Sequence, residues 1–236
     1  MNKSIGIFDS GIGGLTTLKE IRRILPNEDY IYYADSKNNP FGEKSKKELD
    51  KIVHNIINEL LKYNVKLIVI ACNTVTTKFI NTLRKDYPNI LFVGVEPAIK
   101  VACDNDYKNI LLMATPNTIS SQRTKELINK NKKEKQNIYL LPCEGLANAI
   151  ENNDKKRISR ILNDNLNKYK NCNIDSIVLG CTHYPIIKND IKKYFKTIKI
   201  VDGNKGTAKR VKYLLKESNL LNNKKEKGSI KFIQTR

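Results

Sequence analysis

The sequence contains no tryptophan, only two histidines and five cysteines, and it has no long apolar run. The cysteine count is odd and no Cys-x-x-Cys pair occurs, which argues against a disulfide framework and a thiolate zinc site. The sequence has only two histidines, so metal ligands other than cysteine are scarce too, and we expect no bound metal. No apolar run reaches the ~18 residues of a membrane helix, and no apolar signal region precedes the first strand-like segment. We therefore expect a soluble cytoplasmic protein without membrane contact.

What the sequence does contain is an aliphatic and strongly basic chain. Its 236 residues are 40% hydrophobic and 28% charged, which suffices for one large domain or two small ones at ~150 residues per domain. A net charge of +19 ordinarily suggests nucleic-acid binding. Most of the cations, however, are lysines interleaved with Asn, Glu and Asp, and the arginines and aromatic rings that read bases are not clustered. A solvated surface is therefore the preferred interpretation, and specific nucleic-acid binding is not expected.

Short apolar runs alternate with amphipathic stretches along the whole chain, which indicates an α/β fold. Several runs are β-branched without polar alternation, as in parallel strands that are buried on both faces. Residues 45–63 place their apolar side chains on one stripe, which predicts a helix. The predicted strands are residues 4–8, 30–34, 67–71, 91–95, 110–114, 138–141, 176–180, 198–201 and 230–233.

The distribution of these strands predicts two similar halves related by a pseudo-two-fold axis. About four strands lie on either side of Val95-Glu96-Pro97, so each half forms a small, mainly parallel sheet flanked by helices, with a cleft between the halves. The turn signal at Asp202-Gly203-Asn204 suggests a second crossing that returns the C-terminal helix and strand to the first half. The predicted domains are residues 1–96 with about 205–236, and residues 97–204.

Two segments of the sequence resemble each other: LIVIACNT at residues 67–74 and SIVLGCTH at residues 176–183. Each is an apolar strand followed by a small residue, a cysteine and hydrogen-bonding residues that can start a helix. Ligands of open α/β sheets bind at the carboxyl ends of strands. We therefore expect Cys72 and Cys181 to flank one cleft.

The sequence context of these two cysteines suits acid–base chemistry. A cysteine just before a helix lies near free N–H groups and the positive end of the helix dipole, so we expect its thiol pKa to be lowered. Two opposed acid–base groups suit the inversion of a stereocentre, because one removes a proton from one face and the other returns a proton to the opposite face. Cys103, Cys143 and Cys172 lack this context and are interpreted as packing residues.

Six segments together resemble the glutamate racemases of the aspartate/glutamate racemase family. They are IFDSGIGGL at 7–15, YYAD at 32–35, PFGEKS at 40–45, ACNT at 71–74, GVEP at 94–97 and LGCTHYP at 179–185. The resemblance implies a cofactor-independent isomerase that interconverts L- and D-glutamate and supplies D-glutamate for peptidoglycan. It also implies that Cys72 deprotonates D-glutamate and Cys181 deprotonates L-glutamate. Members of the family are often homodimers, so a homodimer is expected.

Two neighbours of the cysteines are candidate catalytic residues. Asp9 either orients Cys72 or binds the substrate ammonium, and capping of the following turn is an equal alternative. His183 lies next to Cys181 in the sequence, and its ordinary pKa of ~6.5 suits proton transfer near neutral pH. His54 has no such neighbour and is interpreted as a packing residue.

The resemblance also implies a set of substrate-binding residues. Asn73, Thr74 and Thr182 match the contacts to the α-carboxylate and amino group, and Ser10 with Pro40, Phe41 and Gly42 match the region around the distal carboxylate. Thr115 and Thr118 match a family Thr-x-x-Thr. Asp9, Cys72, Cys181 and His183 complete the set together with Glu151. For the serines and threonines, helix capping is a compatible local role.

The sequence departs from the family pattern at two places. Phe41 stands where tyrosine is usual, so a contact through a phenolic hydroxyl is lost, whereas a contact through the backbone is kept. The usual Cys-Pro is Cys143-Glu144 here, and the family glutamate near the site aligns with Glu151, with Glu144 and a plain surface glutamate as the alternatives.

Two other functions are weighed against glutamate racemisation. The first is an aspartate or broader amino-acid racemase of the same fold, which His183 disfavours because relatives that prefer aspartate commonly carry glutamate there. The second is a basic nucleic-acid-binding protein on the same scaffold, which has no use for two matched thiols.

Overall fold

The computed structural model describes residues 3–195 and 197–235 as two parallel sheets flanked by helices. The first sheet contains β1 (Ile5–Asp9), β2 (Tyr30–Ala34), β3 (Leu67–Ile70), β4 (Leu91–Gly94) and β9 (Ile230–Gln234). The second contains β5 (Asn109–Ala114), β6 (Asn137–Pro142), β7 (Ser176–Gly180) and β8 (Lys199–Asp202). All neighbouring strands pair in parallel. The α/β fold class is confirmed.

The two sheets share one topology. The strand order is β4-β3-β1-β2-β9 in the first sheet and β6-β5-β7-β8 in the second. Read from the opposite edge, the second order is β8-β7-β5-β6, which reproduces β4-β3-β1-β2 strand for strand. The strand preceding Cys72 therefore corresponds to the strand preceding Cys181, and both lie inside their sheets.

The helices lie on the faces of these sheets. They are α1 (Leu15–Ile24), α2 (Lys46–Leu61), α3 (Asn73–Asp86), α4 (Ile99–Asp104), α5 (Pro116–Ile119), α6 (Gln122–Asn131), α7 (Leu146–Glu151), α8 (Lys155–Leu166), α9 (Lys188–Lys192) and α10 (Asn204–Glu217). Short 3₁₀ helices occur at Ser36–Asn38, Phe41–Glu43, Asn167–Tyr169 and Tyr184–Ile187. None of the helices in these ranges is long and apolar enough to cross a membrane.

The predicted elements match the structure closely, with small differences at their ends. The bounds of β2 and β7 are as predicted, whereas β1 ends at Asp9, which pairs with Ala34. The predicted helix 45–63 is α2, and Ser45 is its N-cap in a capping box with Glu48, because the side chain of each accepts a hydrogen bond from the other's backbone N–H. The strand β6 runs on to Pro142, which an edge strand tolerates because proline lacks only an outward-facing donor.

The core consists of aliphatic layers between each sheet and its helices. Strands β1, β3 and β7 are buried along their whole length, which explains their lack of polar alternation. Burial of such side chains contributes about 25 cal/mol per Å² of apolar surface and is the main stabilisation of these layers.

The C-terminal elements pack on the first sheet. The strand β9 pairs with β2, and Ala208, Val211 and Leu215 of α10 share one apolar cluster with Leu18 and Ile21 of α1. The segment that connects α10 to β9 is held by buried Lys66. This lysine pairs with Glu28 at 2.5 Å and donates to the carbonyl of Leu220 at 2.7 Å. The division of the chain into two domains stays a prediction.

Candidate active site

The two matched cysteines lie at the carboxyl ends of corresponding strands and line one cavity. Cys72 is extended and is the N-cap of α3. Cys181 differs from the expectation, because a turn containing Thr182 and His183 separates it from the 3₁₀ helix that begins at Tyr184. Both cysteines are free thiols and both are buried.

The cavity between the cysteines is nearly closed, with a volume of ≈ 10 Å³, about the space that one water molecule needs. Most of the predicted substrate-binding residues surround it. The lining residues are Ser10, Pro40, Phe41, Gly42, Cys72, Asn73, Thr74, Thr115, Ala147, Cys181, Thr182 and His183. The other three predicted substrate-binding residues, Asp9, Thr118 and Glu151, do not line the cavity, but each forms a hydrogen bond with a residue that does.

Asp9 is fully buried at the end of β1 and joins the two halves. Its Oδ2 accepts hydrogen bonds from the N–H of Gly14 at 2.6 Å and from the hydroxyl of Thr182 at 3.1 Å. Its Oδ1 has no hydrogen-bond partner among the described residues. Burial raises the pKa of Asp9 to about 6, against the opposing effects of the His183 charge and these hydrogen bonds. The carboxylate therefore caps the turn at residues 11–14, here called the glycine turn, and also adds negative charge beside the site.

Cys72 is a protonated thiol at neutral pH. Burial raises its thiol pKa well above the ordinary value, the charge of Asp9 raises it further, and the backbone N–H groups of Val75 and Thr74 lower it only in part. The expectation of a lowered pKa is wrong for this cysteine. The reason is that loss of water disfavours the thiolate more than the helix N-terminus stabilises it.

His183 links Cys181 to Glu151. Its Nδ1 lies 3.9 Å from Sγ of Cys181 and its Nε2 lies 2.7 Å from Oε2 of Glu151. Burial lowers the pKa of His183, but the contacts with Cys181 and Glu151 outweigh this and raise it to about 10. At neutral pH the imidazolium therefore donates to both partners.

Glu151 also holds the glycine turn of the first half, because its Oε2 accepts a hydrogen bond from the N–H of Ile12 at 2.9 Å. Burial raises the pKa of Glu151, but its hydrogen bonds with His183 and Ile12 dominate and lower it. The alternative residue, Glu144, is exposed. Of the two glutamates, only Glu151 contacts a predicted catalytic residue in the described structure.

The absence of side chains at Gly11 and Gly13 allows the glycine turn to approach Glu151 and His183 closely. A Cβ atom at Gly11 would lie 2.3 Å from Oε2 of Glu151, and one at Gly13 would lie 2.5 Å from Nδ1 of His183. Real Cβ atoms do not approach this closely, so the turn fits against the other half only without side chains at these positions.

Three predicted threonines form a hydroxyl triangle across the halves. The Oγ1 atoms of Thr74 and Thr115 are 2.9 Å apart, those of Thr74 and Thr118 are 3.2 Å apart, and those of Thr115 and Thr118 are 3.0 Å apart. Thr74 and Thr115 line the cavity, whereas Thr118 is fully buried behind them. Thr118 therefore orients the other two hydroxyls.

The segment Pro40-Phe41-Gly42 forms another wall of the cavity. The ring of Phe41 packs in the apolar cluster of α2 and α3, and the Nδ2 of Asn39 donates to the carbonyl of Ser10 at 3.1 Å. Because phenylalanine and glycine have no polar side-chain group, the polar groups that Phe41 and Gly42 can offer to the cavity are those of their backbone. Ala147 of α7 also lines the cavity and had no sequence signal, since alanine is chemically silent.

The remaining candidates lie apart from the cavity. His54 contacts Asp86 at 3.1 Å. Cys103 packs in the cluster of α4 and β5, Cys143 packs beneath α7, where burial raises its thiol pKa to about 12, and Cys172 is half-buried. Within residues 3–195 and 197–235, no three His, Cys, Asp or Glu side chains are grouped as metal ligands.

The comparisons of this chain with known proteins all point to racemases. The family model described as Asp/Glu/Hydantoin racemase matches residues 11–211. A glutamate racemase of Clostridium botulinum (strain Alaska E43 / Type E3) is 44% identical over 238 residues, covering 99% of this chain and 92% of the relative. A glutamate racemase of Clostridium acetobutylicum is 40% identical over 237 residues, with coverages of 99% and 92%.

Solved structures agree with this result. The crystal structure of glutamate racemase from Francisella tularensis in complex with D-glutamate has a TM-score of 0.85 at 33% identity, covering 100% of this chain and 89% of that chain. A glutamate racemase isoform from Bacillus anthracis has a TM-score of 0.87 at 28% identity, with coverages of 99% and 89%.

Proposed function

The chain belongs to the Asp/Glu/hydantoin racemase family, and we propose that it interconverts L- and D-glutamate through proton transfers by Cys72 and Cys181. The observation that carries this proposal is the convergence of two thiols, from corresponding strands of the two sheets, on one small cavity. Each sheet contributes one acid–base group, so a substrate between them meets one thiol on either side. This arrangement is what inversion at a single carbon requires.

The protonation states of the two thiols are the next element of the proposal. Inversion needs one thiolate and one thiol at a time. Cys72 has the Asp9 carboxylate as its main neighbouring charge and keeps its proton, whereas Cys181 has the His183 imidazolium as a hydrogen-bond donor. In the direction from L- to D-glutamate, Cys181 removes the α-proton and Cys72 supplies a proton from the opposite face. This turnover leaves the substrate proton on Cys181 and leaves Cys72 as the thiolate, which is the form that removes the α-proton of D-glutamate in the reverse direction.

The α-proton of glutamate is a very weak acid, and the other cavity residues would ease its removal by stabilising the negative charge that develops. Fixed donors in a water-poor site stabilise developing negative charge better than water does. Asn73, Thr74 and Thr182 would hold the α-carboxylate and amino group, and Ser10 with the backbone of Phe41 and Gly42 would hold the distal carboxylate. A substrate ammonium beside Asp9 would also offset the negative charge that raises the pKa of Cys72.

Several wider features are part of the same proposal. The family resemblance supports a role in supplying D-glutamate for peptidoglycan, a cytoplasmic location, a homodimer and a reaction without cofactor. The two crossings near Glu96 and Gly203 support a division into domains 1–96 with about 205–236, and 97–204. Movement between these domains would admit the substrate.

The deciding experiment is α-proton exchange in deuterium oxide. The purified protein, under reducing conditions with a metal chelator and no added cofactor, is incubated separately with L-Glu, D-Glu, L-Asp and D-Asp. We expect deuterium at Cα of both glutamate enantiomers. Absence of exchange with glutamate would overturn the proposal, and preferential exchange with aspartate would reassign the substrate.

A further inference from the structure

The segment Pro40–Lys44 is held by the opposite half of the molecule. It belongs to the first half and supplies three of the residues that line the cavity. Gly42 is seated against Thr115 so closely that a Cβ atom there would lie 2.7 Å from the Cβ and Cγ2 of Thr115. The position of this segment therefore depends on α5, which begins directly after Thr115.

Asn117 of α5 makes the polar part of this contact. Its Nδ2 donates to the carbonyl of Lys44 at 2.9 Å and lies 3.5 Å from the carbonyl of Phe41. Its Oδ1 accepts from Nζ of Lys78 at 2.7 Å. One side chain of the second half thus bridges two elements of the first half, the Pro40–Lys44 segment and α3, which starts next to Cys72.

An amide suits the chemistry of this bridge. The Lys44 carbonyl needs a donor and the Lys78 ammonium needs an acceptor, and the planar amide of Asn117 presents one of each. Asn117 does not line the cavity, so it has no direct contact with a bound molecule there. Its two hydrogen bonds instead connect two elements that border the cavity, the Pro40–Lys44 segment and α3.

We propose that Asn117 is a positioning residue that holds the Pro40–Lys44 segment over the distal carboxylate of glutamate and couples it to the helix that follows Cys72. The inference rests on the proposed function. Loss of the bridge lowers the fraction of molecules in which the segment is in place, and the apparent affinity falls by that fraction. The chemistry of the thiols is unchanged once the substrate is enclosed, so KM rises while kcat is preserved.

The test compares three variants with the wild type in both reaction directions. Asn117→Ala removes both hydrogen bonds. Asn117→Asp keeps the shape and the acceptor for Lys78 but replaces the donor to Lys44. Asn131→Ala is the matched control, because the Asn131 amide donates only to the carbonyl of Leu127 in its own helix.

We expect both Asn117 variants to raise KM by about two- to ten-fold, the equivalent of one net hydrogen bond. Their kcat should stay near that of the wild type, and the control should change neither constant. A wild-type KM in Asn117→Asp would overturn the proposal, because the Lys78 contact alone would then suffice. A fall in kcat at unchanged KM would also overturn it.

A second measurement does not depend on activity. Hydrogen–deuterium exchange of a peptide spanning residues 40–45 should be faster in both Asn117 variants than in the control, while a peptide from the core strand β3 exchanges as in the wild type. Unchanged exchange at 40–45 would overturn the positioning role even if the protein racemises glutamate. If the wild type does not act on glutamate, the proposed function fails, and the exchange measurement still decides whether Asn117 holds the segment.

Discussion

The imidazole of His183 and the carboxylate of Glu151 are joined by a 2.7 Å hydrogen bond, and the same carboxylate oxygen accepts the N–H of Ile12. Glu151 and His183 belong to the second half and Ile12 to the glycine turn of the first. The charge state of the group beside Cys181 is thereby tied to the contact between the halves. A change in either partner should affect both.

We predict that Glu151→Gln lowers the pKa of His183. That pKa is about 10 in the folded protein because of Cys181 and Glu151, and the variant removes one of the two contacts. The raised pKa stabilises the fold fully below ~6.5, the unfolded value, and this stabilisation is lost as pH rises through about 10. In the variant the loss should begin at the same pH but be complete at a lower pH, because only the folded-state pKa changes.

The measurement is an NMR titration of the His183 ring protons, together with the free energy of unfolding between pH 6 and pH 10. Since hydrogen bonds to charged groups are worth about 1.5–3 kcal/mol, kcat/KM should fall by about ten- to a hundred-fold. The exposed Glu144→Gln is the control and should leave the titration unchanged. An unshifted His183 in Glu151→Gln would show that the carboxylate does not set its charge.

We predict that Cys72→Ser and Cys181→Ser each reduce racemisation in both directions by more than about 10²-fold, the usual contribution of a general acid or base. Serine keeps the size of cysteine, but its hydroxyl is a far weaker acid. Cys103→Ala, which removes a buried packing thiol, should retain activity. Initial rates from each enantiomer, followed by circular dichroism, provide the measurement, and wild-type rates in either serine variant would remove that thiol from the mechanism.

We predict that Asp9→Asn inactivates the enzyme and stabilises the fold at neutral pH. The folded pKa of about 6 exceeds the unfolded value of ~3.9, so the native state loses stability as pH rises between these values and stays lower above them. Asparagine carries no such charge. The gain at pH 8 should reach up to about 3 kcal/mol and vanish near pH 4.

Urea unfolding of both proteins at pH 4 and pH 8 tests this prediction. The exposed Asp104→Asn serves as the control and should show no comparable difference between the two pH values. If Asp9→Asn is less stable than the wild type at pH 8, the buried charge is compensated better than its unpartnered Oδ1 indicates.

We predict that Gly13→Ala disables the site through the contact of the glycine turn with His183. The added methyl group would meet Nδ1 and the backbone N of His183 at 2.5 and 2.8 Å, and displacement of a catalytic group by ~1 Å can cost about 10²-fold in rate. The matched control is Gly206→Ala in α10, where a Cβ would meet nothing within 4 Å.

The control should stabilise the protein by about 0.5–1 kcal/mol, because alanine favours a helix over glycine. Thermal unfolding and kcat/KM of the two variants separate a local effect at the site from a general effect of alanine. Full activity in Gly13→Ala would show that the turn adjusts more easily than this packing indicates.

The sequence alone predicted the strands and the meeting of Cys72 and Cys181 at one cavity for clear physical reasons. Runs such as LIVI before Cys72 are apolar on both faces and fit only a buried parallel strand. Parallel strands bring their carboxyl ends to the same edge, so two cysteines that follow corresponding strands meet there. The resemblance then predicted which of their neighbours would bind substrate.

Other features depend on distances between residues far apart in the chain. The thiol pKa of Cys72 is raised by burial, and a helix-start pattern does not reveal burial. Glu151 reaches His183 only because α7 ends beside the glycine turn of the other half. Asn117 and Ala147 gain their positions from the packing of α5 and α7 on the first half, and neither residue type predicts such a contact.

The two thiols have chemically unlike neighbours, and thermodynamics limits how this difference can appear in the proposed reaction. Enantiomers have equal free energies in water, so the equilibrium constant is one, and the Haldane relation forces kcat/KM to be equal in the two directions. Asp9 on one side and His183 on the other are chemically unlike, yet this difference can appear only as compensating changes in kcat and KM. The unlike neighbours of the two thiols therefore cannot favour either enantiomer of glutamate at equilibrium. Their effect is visible only in the separate kcat and KM values of the two directions, and so in the fraction of sites occupied at a given substrate concentration.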